Sequence, residues 1–177
     1  MQNKNLKKLT GLSMLAAISV VLVLLIRVPM PGAGFLEYDP ADIPIFIGAF
    51  AYGPLAGLAL VAVVSVLQGV TVSAGSGIIG ILMHIFASGS FVLVAGNLYK
   101  RRHTKKGAAL ALVFGSLAQV LVMILWNLIF TPIFLGTPIA VVWGMMPIIL
   151  LFNVLKAGIN AVVSFFVYKA ARAILPR

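Results

Sequence analysis

An all-α integral membrane protein of six transmembrane helices is the fold class that three features of this sequence predict. Hydrophobic residues make up 62% of the 177 residues and charged ones only 9%, and the mean hydropathy of +1.16 lies far outside the range of soluble domains. The apolar residues fall into long runs, over about 9–28, 43–70, 78–98, 108–130 and 146–167, and a hydrocarbon core of about 30 Å needs roughly 20 helical residues. The charges punctuate these runs: all three acids, Glu37, Asp39 and Asp42, share one short segment, whereas the thirteen Lys and Arg lie almost entirely elsewhere. A net charge of +10 distributed in this way is a topology signal, not the basic stripe that a nucleic-acid surface requires, and no nucleic-acid partner is expected. The chain contains no cysteine, which excludes disulfides, thiolate catalysis and Cys-based metal sites.

Taken in order, the first helix is expected over about 9–28. Lys4, Lys7 and Lys8 before it imitate a signal peptide, but Arg27, Pro29 and Pro31 occupy the place of a cleavage site, so a retained span is expected. The run over 43–70 is too long for one span, and Gly53-Pro54 divides it into a short helix over about 43–52 and a second over about 54–69. About ten residues at 1.5 Å rise cover only half the hydrocarbon. The short helix must therefore lean on its neighbours, an arrangement tolerated where a helix lines a cavity. Further helices are expected over about 78–99, 107–131 and 146–172. Basic residues cluster at the N-terminus, at Lys100, Arg101, Arg102, Lys105 and Lys106, and at Lys169, Arg172 and Arg177. For all three clusters to be cytoplasmic, an even number of crossings must separate each pair. Six helices in a single membrane domain, 1–177, with both termini cytoplasmic, meet that condition and leave loops over about 28–41, 71–77 and 131–144 outside.

An ionisable side chain inside the membrane costs about 2.5 to 3.5 kcal/mol on insertion scales and is a functional candidate by default. Lys156 is the clear case, and Asn153 and Asn160 share its helix face. Ser116, Gln119, Met123 and Asn127 form a matching face on the fifth helix, with Asn127 at the depth of Lys156. Both residues are expected to line one pocket open to the outside. His84 is a poor metal candidate, since zinc sites need several ligands, and is expected in an interhelical hydrogen bond or on the pocket wall. Gln68 and Gln119 read as polar packing between helices. Arg27 is expected either to snorkel at the interface or to pair with Asp39 or Asp42. Asp39 suits an Asx-type turn, and Asp42 with Pro44 suits the start of the short helix.

Several stretches carry a family resemblance. FLEYDPADIP followed by IFIGAFAYGPLAGL, and later NLIFTPIF and FNVLKAGIN, resemble the S components of energy-coupling factor (ECF) vitamin transporters, most closely the riboflavin-specific type. The resemblance covers essentially the whole chain, and its most specific part is the pattern Phe-Leu-x-x-Asp-x-x-Asp-x-Pro from Phe35. It implies the ECF S-component fold in the prokaryotic cell membrane. The transported ligand implied is riboflavin, with its phosphate as an alternative cargo and no resident cofactor. The pocket would be capped by the loop after the first helix, with Asn127 and Lys156 bonding the flavin imide edge and Phe35, Leu36 and Tyr38 covering the ring. Implied partners are a transmembrane coupling protein and two cytoplasmic ATPases. The small-residue motif that meets the coupling protein has its nearest matches in Ser13 with Ala17 and Ala16 with Val20. The wholly apolar segment over 58–64 departs from the riboflavin-type pattern, which keeps pyridoxine, thiamin or a folate open as cargo. From other classes come an intramembrane enzyme using Asp39, Asp42 and His84, which lacks a nucleophile, and a small channel, which needs polar residues along the whole path.

Overall fold

Two residues that cannot sit in a regular helix interior decide where the second apolar run breaks. Gly53 takes φ 93°, and Pro54 follows as the first residue of the next helix, where its missing N–H leaves nothing unpaired. The computed structural model describes the backbone over 2–171 and side chains over 4–170. Its elements are α1 (Gln2–Leu25), β1 (Val28–Met30), β2 (Ala33–Tyr38), α2 (Asp42–Tyr52), α3 (Pro54–Val70), a 3-10 turn (Ala74–Ser76), α4 (Gly77–Arg101), α5 (Lys105–Leu135) and α6 (Ile139–Ala171). Arg172, Arg177 and the expected helix end at 172 lie outside the described residues.

Four helices, α1, α4, α5 and α6, are long and apolar enough to cross a membrane, whereas α2 and α3 are shorter. Helix α2 compensates by burial: every residue over 42–50 is buried. Phe46 stacks on Phe91 of α4 with ring centroids 3.4 Å apart, and Ile45, Val61 and Val64 complete a core with no solvent access to speak of. Gly57 of α3 lets that helix lie directly on Ala49, since a Cβ there would strike Ala49 and Val92. Large apolar side chains such as Leu25, Leu55, Ile78 and Ile133 face outward, as a lipid-facing surface requires.

One end of the bundle gathers the basic clusters. Gly11 of α1 abuts Tyr52, Gly96 of α4 abuts Pro54, and the Tyr99 and Tyr168 hydroxyls are hydrogen-bonded. Lys4, Lys7 and Lys8, the Lys100 cluster and Lys169 thus share an end, and Arg27, Glu37 and the 3-10 turn mark the other.

Three expectations need correction. The stretch expected as a loop over 28–41 holds a hairpin: β1 and β2 pair antiparallel with Val28 opposite Tyr38, turning at Pro31-Gly32 with Gly32 at φ 81°. The all-helical architecture thus carries one short hairpin within this outer loop. The outer stretch over 131–144 is mostly helix, because α5 runs through Pro132 and α6 through Pro147. Proline suggests a helix end in water, but in a membrane bundle neighbouring helices satisfy the freed carbonyls and the helix continues. Arg27 pairs with Glu37, not with Asp39 or Asp42, and its second nitrogen donates to the Val72 carbonyl at 2.7 Å.

Candidate ligand site

The hairpin lies on the first turns of α6. Ala33 and Leu36 bury their side chains against Val142, Ile149 and Phe152, so the helical extension that replaces the expected loop forms the bed on which the hairpin rests. Between this lid and helices α3, α4, α5 and α6 is a cavity of about 180 Å³.

Most of the expected site residues meet there. Asn127, Asn153, Lys156, His84, Asp39, Phe35 and Leu36 all line the cavity. Tyr38 does not. Its hydroxyl reaches α6 instead, donating to Asn160 Oδ1 at 3.1 Å. Burial, with the neighbouring Asp39 carboxylate second, raises the Tyr38 phenol above its usual pKa, and Lys156 partly offsets this.

Asp39 holds several elements together. Its Oδ1 accepts from the Ala41 N–H at 3.1 Å, the Asx turn that the sequence suggests, and its Oδ2 accepts from Lys156 Nζ at 2.7 Å. Lys156 is thereby neutralised across the lid, with side-chain exposures of 15% and 13% for the two partners. Such a pair is screened far less than a surface one.

Asp42 is the first residue of α2, the helix start expected of it. Its carboxylate makes no cap bond and turns inward instead, accepting from Ser88 Oγ and from Asn160 Nδ2 at 3.4 Å. His84 Nε2 lies 3.4 Å from the same carboxylate, and His84 Nδ1 is 2.7 Å from Ser65 Oγ. His84 thus takes both expected roles, interhelical bond and cavity wall.

Along α5, Gln119, Met123, Asn127 and Thr131 follow one another at helical spacing and all face the cavity. Asn127 is fully buried, donating to Met123 O at 2.7 Å and accepting from Thr131 Oγ1 at 2.9 Å. One amide hydrogen and one lone pair remain for a ligand. Asn153 likewise donates to Ile149 O at 2.8 Å. Ser116 leaves the stripe and meets the Ala157 carbonyl at 3.4 Å. Gln68 and Gln119, read as packing, also line the cavity. For Gln119 the helical spacing from Asn127 was the available signal, but polarity alone does not tell a helix contact from a cavity wall.

On α1, Ser13 and Ala17 are exposed on the outer face, Val20 is half-buried, and Ala16 is buried against the chain's own core. Ala16 is therefore unavailable to a partner, because the helix turns that side toward α2 and α3.

Residues 7–168 match the family described as ECF transporter, substrate-specific component. The chain belongs to that family. Among its relatives, the Bacillus subtilis (strain 168) riboflavin transporter FmnP is 34% identical over 92% of this chain and 90% of its own length. The Staphylococcus aureus (strain TCH60) riboflavin transporter RibU is 27% identical over 97% and 93%. A solved S component of a bacterial ECF transporter superposes over all of both chains with a TM-score of 0.83 at 28% identity. The cavity described above is thus set within an S-component fold.

Proposed function

We propose that this S component captures riboflavin, with FMN as a second cargo, on the outer side of the cell membrane and passes it to an ATP-driven coupling module. That module would comprise a transmembrane coupling protein and two cytoplasmic ATPases, with both termini of this chain on their side of the membrane. The observation that carries the reading is the match over nearly the full length to a riboflavin transporter, joined to a cavity whose polar groups suit a flavin. A flavin imide edge alternates two carbonyl acceptors with one N–H donor. The remaining N–H and lone pair of Asn127 complement an adjacent carbonyl and N–H. Lys156 keeps two of its three donors after the bond to Asp39, and a charged donor roughly doubles the strength of a hydrogen bond to a carbonyl. Phe35, Leu36 and Met123 supply apolar cover for the ring faces.

The cavity is smaller than the 300–1,000 Å³ typical of sites for drug-sized ligands, so seating three fused rings is expected to move the hairpin outward. Binding rather than turnover is the proposed activity. Titration of the purified protein with riboflavin, followed by quenching of flavin fluorescence, tests the reading. Saturable binding below micromolar concentration is expected. Absence of binding, together with thermal stabilisation by thiamin, pyridoxine or a folate, would replace riboflavin by that vitamin. A ligand at one hundred times its Kd adds about 2.7 kcal/mol.

A further inference from the structure

Lipid accounts for exposed apolar side chains along a membrane helix only as far as the helix stays in lipid. Helices α4 and α5 lie antiparallel, with Gly115 against Ala95 and Phe91 and Trp126 against Phe86. Because α5 has 31 residues and α4 has 25, α5 continues about 9 Å beyond the start of α4 at 1.5 Å rise per residue. Its outward side stays apolar over that whole length: Val113, Leu117, Leu121, Leu125, Ile129 and Ile133 recur every fourth residue and are each more than half exposed. Past the turn, Ile139, Val141 and Trp143 at the start of α6 are exposed as well, Trp143 by 59%.

The turn itself lacks what a turn in water draws on. No charged residue occurs from Gly107 through Leu155, and between Pro132 and Met146 only Thr137 has a hydroxyl or amide side chain, its hydroxyl buried. The other connections at this end are polar, with Arg27 and Glu37 at the hairpin and Thr71, Ser73 and Ser76 before α4. The backbone is closed on itself: the N–H groups of Gly136 and Thr137 both donate to Pro132 O, and that of Val141 donates to Pro138 O at 3.0 Å. The first N–H groups of α6 still need oxygen acceptors. Lipid headgroups supply these and the hydrocarbon centre does not.

We propose that the α5–α6 turn, with Ile133, Ile139 and Trp143, is a membrane anchor seated at the boundary between headgroups and acyl chains, and that its partner is the phospholipid of that leaflet. The surface is continuous with the lipid-facing stripe of α5, and Trp favours this depth. Tilting of the two long helices accommodates their extra length. Val142, next to Trp143, is buried in the cluster with Ala33 and Leu36, so the anchor ties the bed beneath the hairpin to the membrane surface.

Trp126→Phe leaves Trp143 as the sole tryptophan. The full chain with this change is reconstituted into phosphatidylcholine vesicles brominated either near the head or near the end of the acyl chains, with iodide on both sides as the aqueous quencher. Bromine near the head is expected to quench Trp143 more than bromine near the chain end. Iodide is expected to quench it at least about fivefold less than free tryptophan, as for an indole seated about 5–10 Å inside the boundary. Strong iodide quenching with none from bromine puts the turn in water and overturns the anchor. Shielding from both quenchers means that protein, such as a second copy of the chain, covers the turn, and overturns it equally. A measurement that leaves both tryptophans in place uses a nitroxide on Ile139→Cys, an exposed position. Oxygen is expected to relax that label more than a water-soluble nickel chelate does, and the reverse ranking overturns the proposal.

Discussion

Substituting Asp39→Asn removes one charge while keeping the side-chain oxygen that accepts from the Ala41 N–H, so it isolates the ion pair with Lys156. At 2.7 Å and an effective dielectric of about 20, the attraction between the two charges is roughly 6 kcal/mol before desolvation is subtracted. Removing one partner of a buried pair costs about 3–5 kcal/mol, mostly because the other charge is left uncompensated. The lower end applies here, since Lys156 keeps 15% exposure and Asn retains an acceptor. About 3 kcal/mol in a chain of this size lowers Tm by roughly 6–12 °C. Lys156→Met should cost a similar amount, but Asp39→Asn with Lys156→Met should return to within about 1 kcal/mol of the parent, because no buried charge is left alone. Thermal unfolding in detergent, followed by the fluorescence of Trp126 and Trp143, measures all four corners of the cycle. A Tm for Asp39→Asn within about 2 °C of the parent, or strictly additive single effects, would show that the pair behaves like an exposed one and that the lid is not fastened through it.

Gly57→Val forces methyl groups into Ala49 and Val92 and should destabilise by about 1–3 kcal/mol through overpacking, read as a lower Tm, whereas Gly75→Ala, with open space around it, should be neutral. The Arg27–Glu37 pair is about a third exposed, so Glu37→Gln should change stability by less than about 1 kcal/mol, and a larger shift in chemical denaturation would contradict that estimate. Because the chain has no cysteine, single replacements Ser73→Cys and His103→Cys allow a membrane-impermeant maleimide to report sidedness: labelling in intact cells is expected for the first and only after permeabilisation for the second. Tyr38 titrates above its usual value, so the fold favours the protonated phenol. The stability it contributes is present below the unfolded phenol's pKa near 10 and is lost as the pH rises beyond it. Tyr38→Phe should flatten that part of a stability–pH curve.

The hairpin and the prolines show where linear reading stops. Alternation is weak in a six-residue strand, and Pro31-Gly32 marks a turn without saying whether the flanks pair. Pro132 and Pro147 look like helix ends because the sequence does not reveal which neighbours donate to the carbonyls that proline leaves unpaired. Asn127 and Lys156 were legible because a polar group in an apolar helix has to face something. Gln68 and Gln119 obeyed the same rule, yet helix–helix contact was an equally good answer for them.

By itself the sequence determined the membrane class, the count of six helices, the break at Gly53-Pro54 and the polar faces of α5 and α6, because each follows from local quantities: hydropathy, length, proline and glycine geometry, and helical spacing. Only the tertiary structure decided that Asp39 reaches Lys156, that Asp42 turns inward to Ser88, Asn160 and His84, that Ala16 is closed to partners, and that Tyr38 reaches Asn160 instead of the cavity. Those outcomes depend on which helices are neighbours and how each is rotated. Packing between distant segments sets both, and no single segment encodes either.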